Sequence, residues 1–143
     1  MSTEANKTII RRFFEAFNAG DLEGVAELCA PSVVVHNSGA PDPLSLDGFK
    51  HLAGAFLAAF PGGEHTIEDM VGEEDKVVTR VVYYGTHTGN LMGMPPTGKQ
   101  VAVPAMIIDQ LANGKIVETW RLFDQMAMMQ QLGVIAAPEP AAA

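Results

Sequence analysis

The stretch NGKIVETWRLFDQMAMMQQLG, residues 113–133, changes from a strand pattern to a helix pattern within its length. Asn113-Gly114 predicts a tight hairpin turn, because both residues tolerate the positive φ that such turns require. After the turn, side chains alternate between two faces, as in a strand. From Asp124 onward apolar residues recur at helical spacing, and Gly133 is typical of the position that ends a helix. Asp124 therefore lies where a strand gives way to a helix.

Asp124 has two interpretations. As the residue before a helix, it would accept backbone N–H bonds from the first turn, which lowers the pKa of a carboxyl group. Asp124 also shares a strand face with Trp120 and Leu122, and burial beside them would raise its pKa towards the range in which a general base works at neutral pH. The residue types favour neither interpretation over the other.

The composition is typical of one soluble globular domain. Of the 143 residues, 48% are hydrophobic and 18% are charged, which is enough apolar material for a substantial core. We assign residues 1–135 to this domain and residues 136–143, rich in Ala and Pro, to a flexible tail. A net charge of −8, with 9 Lys and Arg residues in all, excludes a nucleic-acid partner.

The sequence also bears on localisation and cofactors. The N-terminal residues carry no apolar signal core, and no apolar run reaches the length of a membrane span, so we expect a cytoplasmic protein that does not bind membranes. The four histidines and one cysteine lack the close spacing of a zinc site. No P-loop, dinucleotide fingerprint or nucleophile elbow is present. We therefore expect no zinc site and no nucleotide cofactor.

Helices dominate the first half of the chain. A first helix is predicted to begin at Ser2 or Thr3 and to end at Gly20, because apolar residues recur on one face. A second is capped by Asp21 and carries Cys29 on its apolar face. After a short β-branched strand, a third apolar stripe predicts a helix capped by Asp47. The predicted strands, including the short one before the third helix, cover residues 33–37, 65–72, 76–88, 100–111 and 115–123.

Helices followed by a strand meander indicate an α+β fold with a curved antiparallel sheet. Pro104 inside the third strand of the meander predicts an edge or a bulge. Glycines such as Gly72 and Gly85 let the sheet curl, so that the N-terminal helices close a cone around a cavity.

Several polar side chains are candidates for that cavity. His36 ends a strand, and it lies either in the cavity or partly exposed at the strand end. Arg80 is either inside, paired with Glu118 or Asp124, or outside and extended over the sheet. Because Gly85 can mark a bulge, alternation leaves open whether His87 and Arg80 share a face.

Three segments resemble the SnoaL-like polyketide cyclase branch of the NTF2-like (cystatin-like) superfamily. They are FFEAFNAGDLEGVAELCAPSVVVHN, GTHTGNLMGMPPTGKQVAVP and GKIVETWRLFDQMAMMQQLG, at residues 13–37, 85–104 and 114–133. The resemblance implies a cone built from a curved antiparallel sheet and helices, and a homodimer or a larger homo-oligomer. It also implies ring closure by intramolecular aldol condensation without metal or organic cofactor.

By this resemblance Asp124 is the acid/base residue, and His36 and His87 are pocket residues that take part in catalysis. Asp124 would remove a proton beside a carbonyl of a small apolar substrate, while a histidine or Trp120 donates to the enolate oxygen. We expect nine side chains to bind the substrate: Phe14, Phe17, Asn37, Phe56, Arg80, Tyr84, Met106, Trp120 and Met126.

Other functions remain open. An epoxide hydrolase or a ketosteroid-isomerase-like enzyme would use the same pocket, and a location of Asp109 inside the cone would favour the hydrolase. A non-catalytic binder of small molecules would use Asp124 as a helix cap with a low pKa.

Overall fold

The structure, a computed structural model, describes residues 2–136 of the chain. The predicted tail, residues 136–143, lies outside this range except for Ala136. Within the range, none of the helices is long and apolar enough to cross a membrane. The helices and strands, in chain order, are α1 (Thr3–Asn18), α2 (Leu22–Glu27), β1 (Cys29–Asn37), α3 (Leu46–Ala59), β2 (Glu64–Glu73), β3 (Lys76–Thr86), β4 (Gln100–Ala112), β5 (Lys115–Phe123) and α4 (Gln125–Leu132).

The five strands form one sheet in the order β1-β5-β4-β3-β2. The predicted antiparallel meander from β2 to β5 is confirmed. Its last turn is the predicted one, because Asn113 and Gly114 have φ of 52° and 77°. The complete sheet is mixed, because β1, which lies outside the meander, runs parallel to β5. After β1 the chain passes through α3 to the far edge of the sheet and returns by three hairpins. No hairpin joins β1 to β5, so these two neighbouring strands are free to run parallel.

The capping residues and helix boundaries differ from the predicted ones at two places. Ser2 caps α1 as predicted and accepts the N–H of Ala5 at 3.1 Å. Ser45, not Asp47, caps α3, because its hydroxyl reaches the N–H of Gly48 at 3.2 Å. Cys29 begins β1 and is not in α2, because it pairs with β5 opposite Ile116. Tertiary strand pairing overrides the helical spacing there.

The core lies between the helices and one face of the sheet, here called the inner face. Strands β3 and β4 alternate strictly, so every second residue points to this face. The inner face meets the apolar stripe of α1 that the sequence predicted. Fully or nearly fully buried members of this core are Ile10, Phe13, Phe14, Phe17, Val77, Val81, Tyr83, Val103, Ile107 and Ile116.

The structure explains why the strands accommodate Pro104 and Gly85. Pro104 pairs with Val82 in continuous register, so the β3–β4 pair has no bulge there. It lies where β5 ends, and its carbonyl accepts the N–H of Asp124 at 3.0 Å. At Gly85 a Cβ would come within 3.0 Å of Phe60, so the glycine lets the end of α3 approach β3 closely.

The opposite side of the sheet, here called the outer face, carries exposed apolar side chains. Tyr84 on β3, Met106 on β4 and Leu122 on β5 are 48%, 47% and 66% exposed. They come from three neighbouring strands, so the outer face is an uncovered apolar surface.

Candidate functional site

An internal cavity of about 90 Å³ lies between α3 and the inner face of the sheet. Most of its walls are apolar, and three of the predicted substrate-binding residues, Phe17, Asn37 and Phe56, line it. The remaining lining residues include Phe49, Leu52, Ala53, His65, Tyr83, Val103, Ala105, Ile107, Arg121, Phe123 and Met128.

His65 reaches the cavity from the start of β2. Its ring packs on Phe14 and Phe17, with centroid distances of 5.1 Å and 4.7 Å. Burial, together with the nearby charge of Arg121, lowers the pKa of His65 to about 3. The imidazole is therefore uncharged at neutral pH. Its Nδ1 is buried and has no hydrogen-bond partner among residues 2–136.

Tyr83 reaches the cavity from β3 and is 7% exposed. Burial raises the pKa of Tyr83 to about 12, so the phenol keeps its proton at neutral pH. The hydroxyl lies against Gly63, where a Cβ would be 2.2 Å from it. Within the described part of the chain this buried hydroxyl also lacks a hydrogen-bond partner.

Arg121 brings a positive charge to the cavity from β5. Its guanidinium carbon lies 5.0 Å and 5.2 Å from the ring centroids of Phe13 and Phe49, a cation–π arrangement. Burial lowers the pKa of Arg121 and the carboxyl of Asp109 opposes that shift. The guanidinium stays protonated at neutral pH, because arginine starts from a pKa above about 12.

Asp109 is a carboxylate inside the cone. It is 2% exposed and lies opposite Thr119 in the β4–β5 pair. The Thr119 hydroxyl hydrogen-bonds this carboxyl and accepts from Nη1 of Arg121 at 3.4 Å, so it links the two charged groups. Burial raises the pKa of Asp109, while Arg121 and Thr119 act against that rise. Buried Cys29 lies close to this group, and desolvation raises the pKa of its thiol to about 11.

Sequence reasoning assigned neither Arg121 nor His65 to the site. Arg121 shares its face of β5 with Thr119 and Phe123, while the prediction followed the opposite face, with Trp120. A bulge between Ile116 and Glu118 shifts the alternation at the start of this strand. A signal was available in β4, where Asp109 falls on the same alternating face as Val103 and Ile107. A charge on an otherwise apolar face indicates a buried, functional or paired group.

Asp124 lies outside the cavity, which corrects the expected location of the catalytic carboxylate. It is exposed and caps α4, accepting the N–H of Ala127 at 2.9 Å. The capping interpretation is therefore the one that the structure supports. The reason is parity, because Trp120 and Leu122, with which Asp124 shares its alternation, point away from the core.

The histidines expected beside Asp124 are also elsewhere. His36 lies on the outer face, where Nε2 donates to Glu118 at 2.7 Å and the ring stacks on Trp120. His87 is fully buried at the end of β3, and its Nδ1 accepts the Thr97 N–H at 3.2 Å. His87 thereby holds the loop before β4. The structure does not bring Asp124, His36 and His87 into one cavity.

Most other predicted substrate-binding residues also point outward. Arg80 is exposed and pairs with Asp69 at 2.6 Å, not with Glu118 or Asp124. No bulge interrupts the β3–β4 pair, so Arg80 and Tyr84 stay on the face opposite Tyr83. Those that miss the cavity are Arg80, Tyr84, Met106 and Trp120 on the outer face, Met126 on the exposed side of α4, and Phe14 in the core behind His65.

His, Cys, Asp and Glu side chains are the candidate metal ligands of the chain. Within residues 2–136, no three His, Cys, Asp or Glu side chains are grouped so that they could hold a metal ion. The cavity offers instead a guanidinium, a phenol and a neutral imidazole between apolar walls.

The family model and the similar proteins found by comparison agree with one another. A family model described as SnoaL-like polyketide cyclase matches residues 7–132. Aklanonic acid methyl ester cyclase DnrD of Streptomyces peucetius is 30% identical over 140 residues, covering 93% of this chain and 92% of that protein. Aklanonic acid methyl ester cyclase AcmA of Streptomyces galilaeus is 31% identical over 128 residues, covering 87% and 88%.

Solved structures agree in fold. AclR from Streptomyces galilaeus superposes with a TM-score of 0.89 at 26% identity, over 96% of this chain and 87% of AclR. IdmH from Streptomyces antibioticus gives a TM-score of 0.79 at 35% identity, over 90% of this chain and 98% of IdmH. The curved sheet, its helices and the family match over most of the sequence establish that the chain belongs to the SnoaL-like polyketide cyclase family.

Proposed function

We propose that the chain catalyses a cofactor-independent ring closure, an intramolecular aldol reaction of a small apolar carbonyl compound held in the cavity. The observation that carries the proposal is the guanidinium of Arg121, the one charged group among the described residues that line the mostly apolar cavity. A fixed positive charge in such surroundings stabilises a developing enolate far more than the same charge in water. The named relatives are methyl ester cyclases, which supports the same reaction class.

Each polar group of the cavity has a role in this proposal. Arg121 binds the enolate oxygen, and the Tyr83 hydroxyl donates to the carbonyl under attack. His65 accepts the proton from carbon and returns it to the new alkoxide, so that the product is a β-hydroxy ketone. A pKa of about 3 makes His65 a weak base. The substrate is therefore a compound whose carbon is already acidic, such as a methylene between two carbonyls.

The size of the cavity bears on the substrate. A volume of about 90 Å³ is smaller than the ~300–1,000 Å³ of typical ligand pockets. The cavity thus suits a small molecule or the reacting end of a larger one. Its apolar walls would hold the two carbonyl groups close together, and such proximity supplies much of the rate of an intramolecular reaction.

The test uses 1,3-diketones that carry a third carbonyl on a short chain, with ring closure followed by chromatography. We expect Arg121→Gln to lower kcat/KM about 10²–10³-fold, as removal of an oxyanion donor does. Arg80→Gln is the matched control, because Arg80 is an exposed arginine on the outer face, and it should retain the wild-type rate. Equal rates for Arg121→Gln and wild type would refute the proposal.

A second candidate, epoxide hydrolysis, has one specific observation in its favour. Asp109 lies inside the cone near Arg121, and its Oδ1 has no hydrogen-bond partner in the described residues. In this reaction Asp109 would take a proton from water as the water attacks the epoxide, Arg121 would stabilise the alkoxide, and the proton on Asp109 would then pass to that alkoxide to give the diol. Incorporation of labelled water oxygen into a diol, lost in Asp109→Asn, is the expected result. Absence of any diol with a panel of small apolar epoxides would exclude it.

A further inference from the structure

Thr119 lies between the two buried charged groups of the cone. It precedes Arg121 by two residues on β5, so both side chains point to the inner face, and it pairs with Asp109 across the β4–β5 ladder. Its side chain is buried, with 3% of the residue exposed. The hydroxyl accepts from Nη1 of Arg121 at 3.4 Å and donates to the carboxyl of Asp109. A hydroxyl does both at once, so one side chain joins the two charged groups.

The bond to Thr119 is the directional contact of the Arg121 guanidinium. The rings of Phe13 and Phe49 also hold this group, with centroids 5.0 Å and 5.2 Å from its central carbon. An aromatic face attracts the cation without fixing where each N–H points, whereas a hydrogen bond prefers one direction. Within residues 2–136 the guanidinium donates a single hydrogen bond, the one to Thr119. Thr119 therefore sets the rotation of the guanidinium about its own axis.

The guanidinium keeps free donors beside the cavity. Of its five N–H groups, those on Nε and Nη2 have no partner in the described residues, and neither nitrogen is fully buried. They remain accessible in a side chain that lines the cavity. No direct ion pair joins Arg121 to Asp109 within residues 2–136. A carboxylate in direct contact would occupy two of these donors, and the intervening Thr119 hydroxyl leaves them for a ligand oxygen.

We propose that Thr119 is a positioning residue, which turns the guanidinium of Arg121 towards the reacting oxygen and holds it apart from Asp109. This proposal deepens the proposed function and rests on it for the role of Arg121. Thr119 is not among the described residues that line the cavity, so its effect on the rate passes through Arg121. A group displaced by about 1 Å can cost roughly 10²-fold in rate, which makes such a hydroxyl matter.

The first test compares two replacements of Thr119 in the ring-closure assay. Thr119→Val keeps the shape and removes the hydroxyl, so we expect kcat to fall about 10–100-fold while KM changes little. Thr119→Ala, a second variant that adds no new contact, should show the same loss, and Thr119→Ser should restore most of the wild-type kcat. Thr79→Val is the matched control, because Thr79 is a fully buried threonine on the inner face whose hydroxyl has no partner in residues 2–136. It should keep the wild-type kcat.

A double variant separates positioning from a general structural role. If Thr119 acts through Arg121, the variant with both Thr119→Val and Arg121→Gln should be no slower than Arg121→Gln alone. A double variant slower than Arg121→Gln by the full factor of Thr119→Val would overturn the proposal, because the two residues would then act independently. Thr119→Ser as slow as Thr119→Val would overturn it as well.

The orientation of Arg121 can also be measured without turnover. A guanidinium that rotates slowly about its Nε–Cζ bond gives separate NMR signals for its two Nη groups, and loss of these signals in Arg121→Gln assigns them. We expect the signals to merge at a lower temperature in Thr119→Val than in wild type and Thr119→Ser. Equal merging temperatures would overturn the proposal. The expected NMR result in a wild type that closes no ring would refute the proposed reaction alone and leave the positioning of Arg121 by Thr119 intact.

Discussion

Asn18 bonds to the backbone of His65 as a neighbouring strand would, with its amide accepting the His65 N–H at 2.7 Å and donating to the His65 carbonyl at 3.0 Å. The last residue of α1 thus sets the position of the first residues of β2. Because His65 lines the cavity, the geometry of one cavity wall depends on a helix end.

Asn18→Ala should destabilise the protein, because two backbone groups lose their partner. We expect a loss of ~1–3 kcal/mol in the free energy of unfolding, the sum of two ordinary hydrogen bonds. Urea unfolding followed by circular dichroism measures it. Asn90→Ala is the control, since Asn90 makes one exposed bond to the N–H of Gly93, and its cost should be well below that of Asn18→Ala. An equal cost for both variants would contradict this role of Asn18.

His65 should make stability depend on acid pH. Its pKa is about 3 in the folded protein and 6.5 as a reference, so between these values the unfolded chain binds a proton that the folded protein does not. The contribution of neutral His65 to stability is therefore fully present above pH 6.5. It is lost as the pH falls towards 3, by at most ~1.4 kcal/mol per pH unit. His65→Gln should flatten this slope in urea unfolding at a series of pH values, whereas His51→Gln, on the exposed side of α3, should not. Parallel curves for His65→Gln and wild type would show that burial does not hold His65 neutral.

Asp124 should act as a helix cap and not in the reaction. Asp124→Ala removes the acceptor for the Ala127 N–H and should cost about 1 kcal/mol of stability. Asp124→Asn keeps a capping oxygen and should retain both stability and turnover. Asp21→Ala is the matched control for the loss of a helix cap, because Asp21 caps α2 by accepting the N–H of Gly24 at 2.9 Å. If folded Asp124→Asn lost turnover in the ring-closure assay, the carboxylate would have to take part in the chemistry after all.

The outer face should mediate self-association. We propose a homodimer or larger homo-oligomer in which Met106 and Leu122, which are 47% and 66% exposed, pack against a second copy. Light scattering after size-exclusion chromatography should give a mass above that of one chain for wild type and the mass of one chain for Leu122→Lys. Met92→Lys, at a position 65% exposed but in the loop before β4, should keep the wild-type mass. A wild type that elutes as a monomer at all concentrations would refute this use of the outer face.

Local patterns in the sequence predicted most of the elements correctly. The stripe of α1, the turn at Asn113-Gly114 and the alternation of β3 and β4 are set by residues near one another in the chain, so periodicity and turn chemistry suffice to find them. The resemblance of three segments likewise led to the right family. The capping of α4 by Asp124 was one of two interpretations that local reasoning had already reached.

The tertiary structure decided which side of each strand faces inward. Strict alternation fails in β5, because a bulge between Ile116 and Glu118 puts Ile116 and Thr119 on the same buried face. The prediction kept strict alternation and followed the face with Trp120, Leu122 and Asp124. The parallel pairing of β1 with β5 and the position of the helices instead bury the face with Arg121. Burial of a charged side chain is unfavourable by itself and becomes tolerable through Asp109, Thr119 and two aromatic rings that come from distant parts of the chain. The sequence thus contains the strand pattern to which the cavity residues belong. Their burial inside the cone depends on contacts that only the folded chain makes.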